Sequence, residues 1–185
     1  MKYIRIRLDY KYAKKGRFTR TLLVRDNPSL EDLGRYLVFA LGGELEHMYL
    51  FKDNRVSYLP KEWGVDEEGT VSLDDSYLSD LSDKFTFIYD TGEDYIFECS
   101  KEKDKIDLIV DKPIIIEKAK GLGIFEDNAR TLDAYLNGEI ESEDDVYLEE
   151  NGYSMPWNHK INSLSDFDKP IDIDKLNRKT LKLIR

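Results

Sequence analysis

Cysteine and histidine are scarce: the chain of 185 residues holds one Cys and two His. The lone Cys99 excludes an intramolecular disulfide and any all-cysteine zinc site. His47 and His159 leave little for a His-rich metal cluster. Long hydrophobic runs are missing too. No window approaches the roughly 18 apolar residues that span a bilayer, so no membrane contact is expected. The opening MKYIRIRLDY alternates and is charged, without the apolar stretch of a signal peptide, which makes the cytoplasm the expected location. No Gly-x-Ser-x-Gly elbow is present. Gly121-Leu122-Gly123 precedes no Gly-Lys-Ser/Thr, so no phosphate loop forms there. The residues therefore assign no catalytic set, no metal-ligand set and no cofactor.

What is there is charge. Hydrophobic residues make up 41% and charged ones 36%, and 28 Lys+Arg against 38 Asp+Glu give −10. That composition fits one soluble domain, which at this size buries roughly 70% of its unfolded surface. Residues 1–35 hold ten bases and four acids, or +6, which leaves 18 − 34 = −16 for the rest. The asymmetry reads as the solvated side of a hairpin rather than a nucleic-acid face, since the overall field repels phosphate. The opposite extreme, 139–150, has seven acids and no base. It reads as an exposed loop or a frayed helix.

The periodicity divides the chain into short elements. YIRIRL alternates at period two, placing Tyr3, Arg5 and Arg7 on one side and Ile4, Ile6 and Leu8 on the other. After a turn at Gly16, residues 18–25 return. Ser29 then caps a helix whose apolar face is Leu30, Leu33, Leu37 and Leu41, and Gly42-Gly43 stops it. Residues 47–51 and 56–59 flank a turn at Asp53-Asn54-Arg55. The strongest β signal is KFTFIYD, TGED, YIFEC: Phe85, Phe87 and Tyr89 should face Tyr95, Phe97 and Cys99 across a hairpin. Gly92 is expected at positive φ in its turn. Residues 106–110 and 114–117 read as two further strands separated by Pro113. A short helix pattern ends at Gly138, Trp157 is expected to seal a packing edge, and a last helix capped by Asp172 or Asp174 closes the chain. Hairpin, helix, several antiparallel strands, then helices make an α+β fold in one domain over 1–185. Its core would be about 1–120 and its helical part about 121–185.

These segments, in this order, resemble the Ri-plasmid open-reading-frame-three-like family, also described as passenger proteins of insertion elements. The resemblance is carried by IRIRL, FTRTLLV, SLEDLGRYLVFALGG, HMYLF (a His-Leu-x-x-Phe strand), FTFIYDTGEDYIFE (a Tyr-Asp-x-Gly-Asp strand and turn), EDN at 126–128 and FDKPIDIDKLN at 167–177. It covers nearly the whole chain. Where the family's loop around the Glu-Asp pair often carries two cysteines, Gly123 and Asn128 stand here, so a metal or redox role built on them is absent. The resemblance implies a grasp-like topology, a helix across a mixed sheet, and an association with mobile elements. It implies no established reaction.

The binding residues the sequence singles out are His47, Tyr89, Asp90, Glu93, Asp94 and Tyr95. Asp90, Glu93 and Asp94 crowd one hairpin turn between the tyrosines, and His47 opens a strand beside Glu44 and Glu46. Turn chemistry accounts for the acids, because Asp caps backbone amides. Cys99, on the face of Tyr95 and Phe97, reads as a buried inert thiol. The functional expectation is a non-catalytic binding or interaction module, with a protein as the kind of partner to look for. Two alternatives stand beside it. One is a metal-assisted hydrolase built on Asp90, Glu93, Asp94 and His47. The other is a nucleic-acid-binding accessory protein using the basic N-terminal hairpin.

Overall fold

A computed structural model describes residues 1–63, 68–126, 128–140, 154–155, 159–160 and 164–184, the two short pairs by their backbone alone. Eight strands form one open sheet, β1 (Lys2–Tyr10), β2 (Thr19–Arg25), β3 (Tyr49–Asp53), β4 (Val56–Leu59), β5 (Thr70–Ser72), β6 (Lys84–Tyr89), β7 (Tyr95–Asp107) and β8 (Ile114–Lys120). Their order across the sheet is β5-β4-β3-β6-β7-β1-β2-β8. The β4–β5 pair is parallel and the other pairs are antiparallel. Helices α1 (Leu30–Leu41), α2 (Ala129–Asn137) and α3 (Ile173–Leu183) complete the α+β fold, with a small ribbon of β9 (Ser154–Met155) and β10 (His159–Lys160). No helix among the described residues is long and apolar enough to cross a membrane.

The N-terminal hairpin follows its alternation. Tyr3 pairs with Arg25, Arg5 with Leu23 and Arg7 with Thr21, so Tyr3 shares the arginines' side of β1. Tyr3 is nonetheless buried, because its hydroxyl lies 2.8 Å from the carbonyls of both Val110 and Lys112. That contact explains a departure from expectation. Residues 106–110 are not a separate strand: β7 runs on to Asp107, its pairing with β1 interrupted by a bulge between Ile4 and Ile6. The chain beyond β7 then bends over Tyr3. On the other side of β1, Ile6, Leu8 and Tyr10 enter the core beside Phe18, Leu22 and Val24 of the return strand.

Ser29 Oγ accepts the Asp32 amide at 3.1 Å to start α1, and Gly42 ends it at φ 95°. The helix carries the chain from β2 to β3, past the strands that lie between them. The central hairpin has the expected register, with Phe85 opposite Cys99, Phe87 opposite Phe97 and Tyr89 opposite Tyr95. Its rings continue into neighbouring elements, Phe97 meeting Phe18 edge-on at 5.4 Å and Phe18 meeting Phe167 at 5.3 Å. Asp172 rather than Asp174 caps α3, accepting the Lys175 amide at 2.9 Å. On α3, Leu176 and Thr180 are buried and Leu183 is exposed. Asn177 of α3 receives the Ile116 amide at 2.7 Å and donates to the Ile116 carbonyl at 2.9 Å. A side-chain amide thereby occupies the edge of β8 that another strand would otherwise pair with. Residues 141–150 of the acidic run and Trp157 lie outside the described residues.

Two arginines of the hairpin hold helix C-termini, where unpaired carbonyls accumulate. Arg17 donates to the carbonyls of Tyr135 and Leu136 in α2 and to Asp168. Arg20 is fully buried and donates to the carbonyl of Ala40 in α1 at 2.8 Å. Counting Arg20 among the bases of a solvated hairpin is thus corrected. It shares its side of β2 with Phe18, Leu22 and Val24, and that side is the core.

Helix α2 also docks through Tyr10, whose hydroxyl donates to Asp133. Burial raises the Asp133 carboxyl above its ordinary value, opposed by that hydrogen bond. The folded state then holds the Asp133 proton more tightly than the unfolded chain does. Stability falls as pH rises from the ordinary Asp value, about 3.9, to the raised one, and then levels off for this group. Asp133→Asn keeps an oxygen for Tyr10 and removes the titration. Its melting temperature should gain on wild type as pH rises through that interval. A difference that stays constant over the same interval would show that Asp133 titrates alike in both states.

Candidate functional site

At one end of the central hairpin, three segments distant in sequence meet. His47 lies two residues before β3, Asp90 follows β6, and Glu126 precedes α2. The His47 Nδ1 is 3.7 Å from Asp90 Oδ1, and its Nε2 is 3.6 Å from Glu126 Oε2. One donor atom from each residue can be chosen so that all three lie within 4.8 Å of one another.

Both carboxylates are held by backbone amides. Asp90 adopts φ 53°, a left-handed conformation that Asp tolerates better than most residues. Its Oδ1 accepts the amides of Gly92 at 3.2 Å and Glu93 at 3.3 Å. Its Oδ2 is buried and has no hydrogen-bond partner among the described residues. The turn is closed by the Glu93 and Asp94 amides, both donating to the Asp90 carbonyl. Asp90 and Asp94 take the positive φ angles in this turn, and Gly92 does not. The expectation for Gly92 is corrected: the two aspartates at the ends of the turn reverse the chain, so the glycine between them has no left-handed role.

Glu126 is fixed by a Glu44 amide at 2.8 Å on Oε1 and by the Tyr89 hydroxyl, 3.1 and 3.2 Å from its two oxygens. Burial raises its carboxyl above the ordinary range, and the Glu44 amide, the Tyr89 hydroxyl and His47 oppose that rise. Tyr89 is pushed up, first by burial and then by the charge of Glu126. It stays a neutral donor, with its ring edge-on to His47 at 6.0 Å.

The structure joins three of the sequence's candidates, His47, Tyr89 and Asp90. The other three have different surroundings. Glu93 turns to α2, accepting the Ala129 amide at 2.9 Å. Asp94 is exposed on the hairpin turn. Tyr95 is buried, and its hydroxyl donates to the Phe125 carbonyl. Glu126, absent from the sequence's candidates, completes the cluster. Periodicity could not find it, because it sits in an irregular strap, and the only signal was the EDN of the family resemblance.

The strap, residues 121–126, is itself anchored along its length. The Leu122 amide donates to the Phe167 carbonyl and the Ile124 amide to the Leu41 carbonyl, each at 3.0 Å. Arg20 donates to the Leu122 carbonyl, also at 3.0 Å. His47 opens in addition onto a cleft of about 400 Å³ lined by Glu31, Tyr49, Glu62 and Asp74. With two carboxylates in the cluster and three more along this cleft, the site favours a positively charged ligand.

Fold and site together define an α+β protein with an eight-stranded mixed open sheet and an acidic, histidine-containing cluster at the end of its central hairpin. No family model and no curated protein matches the chain. A solved structure, a protein of unknown function designated MM3350 from Methanosarcina mazei Go1, is similar with a TM-score of 0.64 at 20% identity, covering 82% of this chain and 83% of that one. At that identity the likeness shows a shared fold and no more.

Proposed function

We propose that the protein is a cytoplasmic, non-catalytic binding module whose ligand site is the His47–Asp90–Glu126 cluster. One observation carries the reading: three segments far apart in sequence deliver three polar side chains to one spot, the two carboxylates held there by backbone amides and a tyrosine hydroxyl. A turn that only had to reverse the chain would not need His47 or Glu126. In keeping with the family resemblance, we assign it an accessory role associated with mobile elements, in which a protein partner reads the ligand-bound state.

The arrangement of bases speaks against the nucleic-acid alternative. Arg5 is paired with Glu102 and Glu117, Arg7 with Asp9, Arg17 with Asp168 and Arg25 with Asp111. Arg20 is buried. Half of the ten bases are thus committed internally, and the net charge of −10 repels phosphate. The hydrolase alternative loses Glu93 and Asp94 from its residue set, since neither joins the cluster.

The test is a solute screen read on the His47 imidazole resonances, with Glu126→Gln as control. A positively charged solute should shift those resonances in the wild type and not in the variant. Glu126-dependent turnover of phosphate or carboxylate esters would overturn the non-catalytic reading. Submicromolar binding of DNA or RNA near about 150 mM salt, steepening as salt falls, would replace it with the nucleic-acid one.

A further inference from the structure

We propose that the ligand of this cluster is a single divalent d-block cation of the zinc or cobalt class, held by one imidazole nitrogen of His47 and by the carboxylates of Asp90 and Glu126. The inference rests on the reading of the cluster as the protein's ligand site and adds the chemistry of what fills it.

Distance is the first argument. Asp90 Oδ1 lies 3.7 Å from His47 Nδ1 and Glu126 Oε2 lies 3.6 Å from Nε2, too long for hydrogen bonds, and one donor atom from each of the three residues can be chosen so that all lie within 4.8 Å of one another. Two ligands of a tetrahedral ion, each roughly 2.0–2.2 Å from it, lie about 3.3–3.6 Å apart. Coordination requires the imidazole to turn so that one nitrogen faces both carboxylates and the present spacing, within 4.8 Å, to tighten toward that value.

Satisfaction of the acids is the second, independent argument. Asp90 is 5% exposed, and its Oδ1 is already engaged by the Gly92 and Glu93 amides. Oδ2 is buried with no hydrogen-bond partner among the described residues. A buried carboxylate oxygen without a donor or a cation is costly, and native structures seldom keep one. Glu126 adds a second carboxylate beside the first. A cation between them neutralises both and supplies Oδ2 with the contact it lacks.

Ligand type selects the metal. Imidazole suits zinc, cobalt and nickel, whereas sites for magnesium and calcium are built from oxygen alone. The outer partners of a metal site are also present: Tyr89 and the Glu44 amide orient Glu126, and the turn amides orient Asp90. Three protein ligands leave coordination positions open, and the cleft beside His47 gives access from solvent.

The experiment titrates chelator-treated, metal-free protein with Co²⁺, read by its visible absorption, and with Zn²⁺ and Mg²⁺ by calorimetry. One Co²⁺ or Zn²⁺ should bind per chain, each more tightly than Mg²⁺. Asp90→Asn and Glu126→Gln should each weaken Co²⁺ binding by about tenfold or more. Asp94→Asn should bind as wild type does, and circular dichroism would verify that every variant is folded. Absence of stoichiometric binding overturns the inference. So does binding that survives both Asp90→Asn and Glu126→Gln, or that follows His159→Gln instead. If Co²⁺ fails to bind while an organic cation shifts the His47 resonances in a Glu126-dependent way, the metal assignment falls and the ligand-site reading stands. If neither cation nor solute acts there, both fall.

Discussion

Arg20→Leu is expected to destabilise the protein by about 3–5 kcal/mol, since several buried carbonyls lose their donor at about 1–3 kcal/mol each and only part of that is offset by the relieved charge. Arg20 is 0% exposed, and among the described residues its hydrogen bonds all go to carbonyls and none to a carboxylate. Its guanidinium donates to four carbonyls: Ala40 at 2.8 Å, Thr19 and Lys120 at 2.9 Å, and Leu122 at 3.0 Å. Those carbonyls belong to α1, β2, β8 and the strap. Burial lowers the Arg20 pKa to about 9, which measures how unwelcome the charge is there. The leucine variant escapes that cost but orphans the carbonyls of Ala40, Lys120 and Leu122, at about 1–3 kcal/mol for each that water cannot reach. Orphaned carbonyls outweigh the relieved charge, because three segments lose their common donor at once. Arg20→Lys keeps the charge without the planar fork, and should fall between wild type and leucine. Chemical denaturation measures all three. A leucine variant within about 1 kcal/mol of wild type would mean that water replaces the guanidinium and that Arg20 is dispensable.

This residue also shows where sequence reading stops. The alternation of Phe18, Arg20, Leu22 and Val24 was visible, but composition grouped Arg20 with nine other bases as a solvated set. What reverses that reading is the end of α1, whose free carbonyls need a donor. A sequence does not say which helix end will face which strand. By contrast, the central hairpin was legible down to its register, because Phe85, Phe87 and Tyr89 and then Tyr95, Phe97 and Cys99 alternate without interruption on either side of the turn at 90–94. The bend after β7 was not legible, since the hydrophobicity of Ile109 and Val110 imitates a strand, yet Ile109 is fully exposed.

The site divides along the same line. His47 and Asp90 are each conspicuous locally, one opening a strand beside acids and the other beginning a turn. Glu93 and Asp94 were conspicuous for the same reason and prove to serve α2 and the turn. Glu126 carries no local signature, because the strap has neither period two nor period 3.6 and its contacts are all to other elements. Its side chain reaches the cluster only if the strap is held, and the strap is held by Arg20, Leu41, Phe167 and Tyr95. Stability and site geometry are therefore coupled at this segment, and variants far from His47 should disturb it.

Gly121, where the strap leaves β8, should give the second large effect and the clearest test of that coupling. Its φ is +76°, and a Cβ built there would lie 2.6 Å from two ring atoms of Phe167 and 3.1 Å from the Arg17 carbonyl. Gly121→Ala therefore combines two penalties. A left-handed conformation costs an L-residue roughly 1–2 kcal/mol. Forcing a methyl into a packed core costs about 1–3 kcal/mol more. Phe167 cannot swing aside freely, since it is fully buried and its ring packs edge-on against Phe18 at 5.3 Å and Phe125 at 6.0 Å. The sum, about 2–5 kcal/mol, should appear as a lower denaturation midpoint. Phe167→Leu in the same chain separates the two parts: it makes room for the methyl without altering φ, so the double variant should lose less than the sum of the single ones. Because Leu122 and Phe167 share a backbone hydrogen bond, Gly121→Ala should also shift the His47 imidazole resonances in protein that is still folded. Strict additivity in the double variant would show that the clash with Phe167 contributes nothing. Unchanged His47 resonances would show that the strap holds Glu126 in place without help from its first residue.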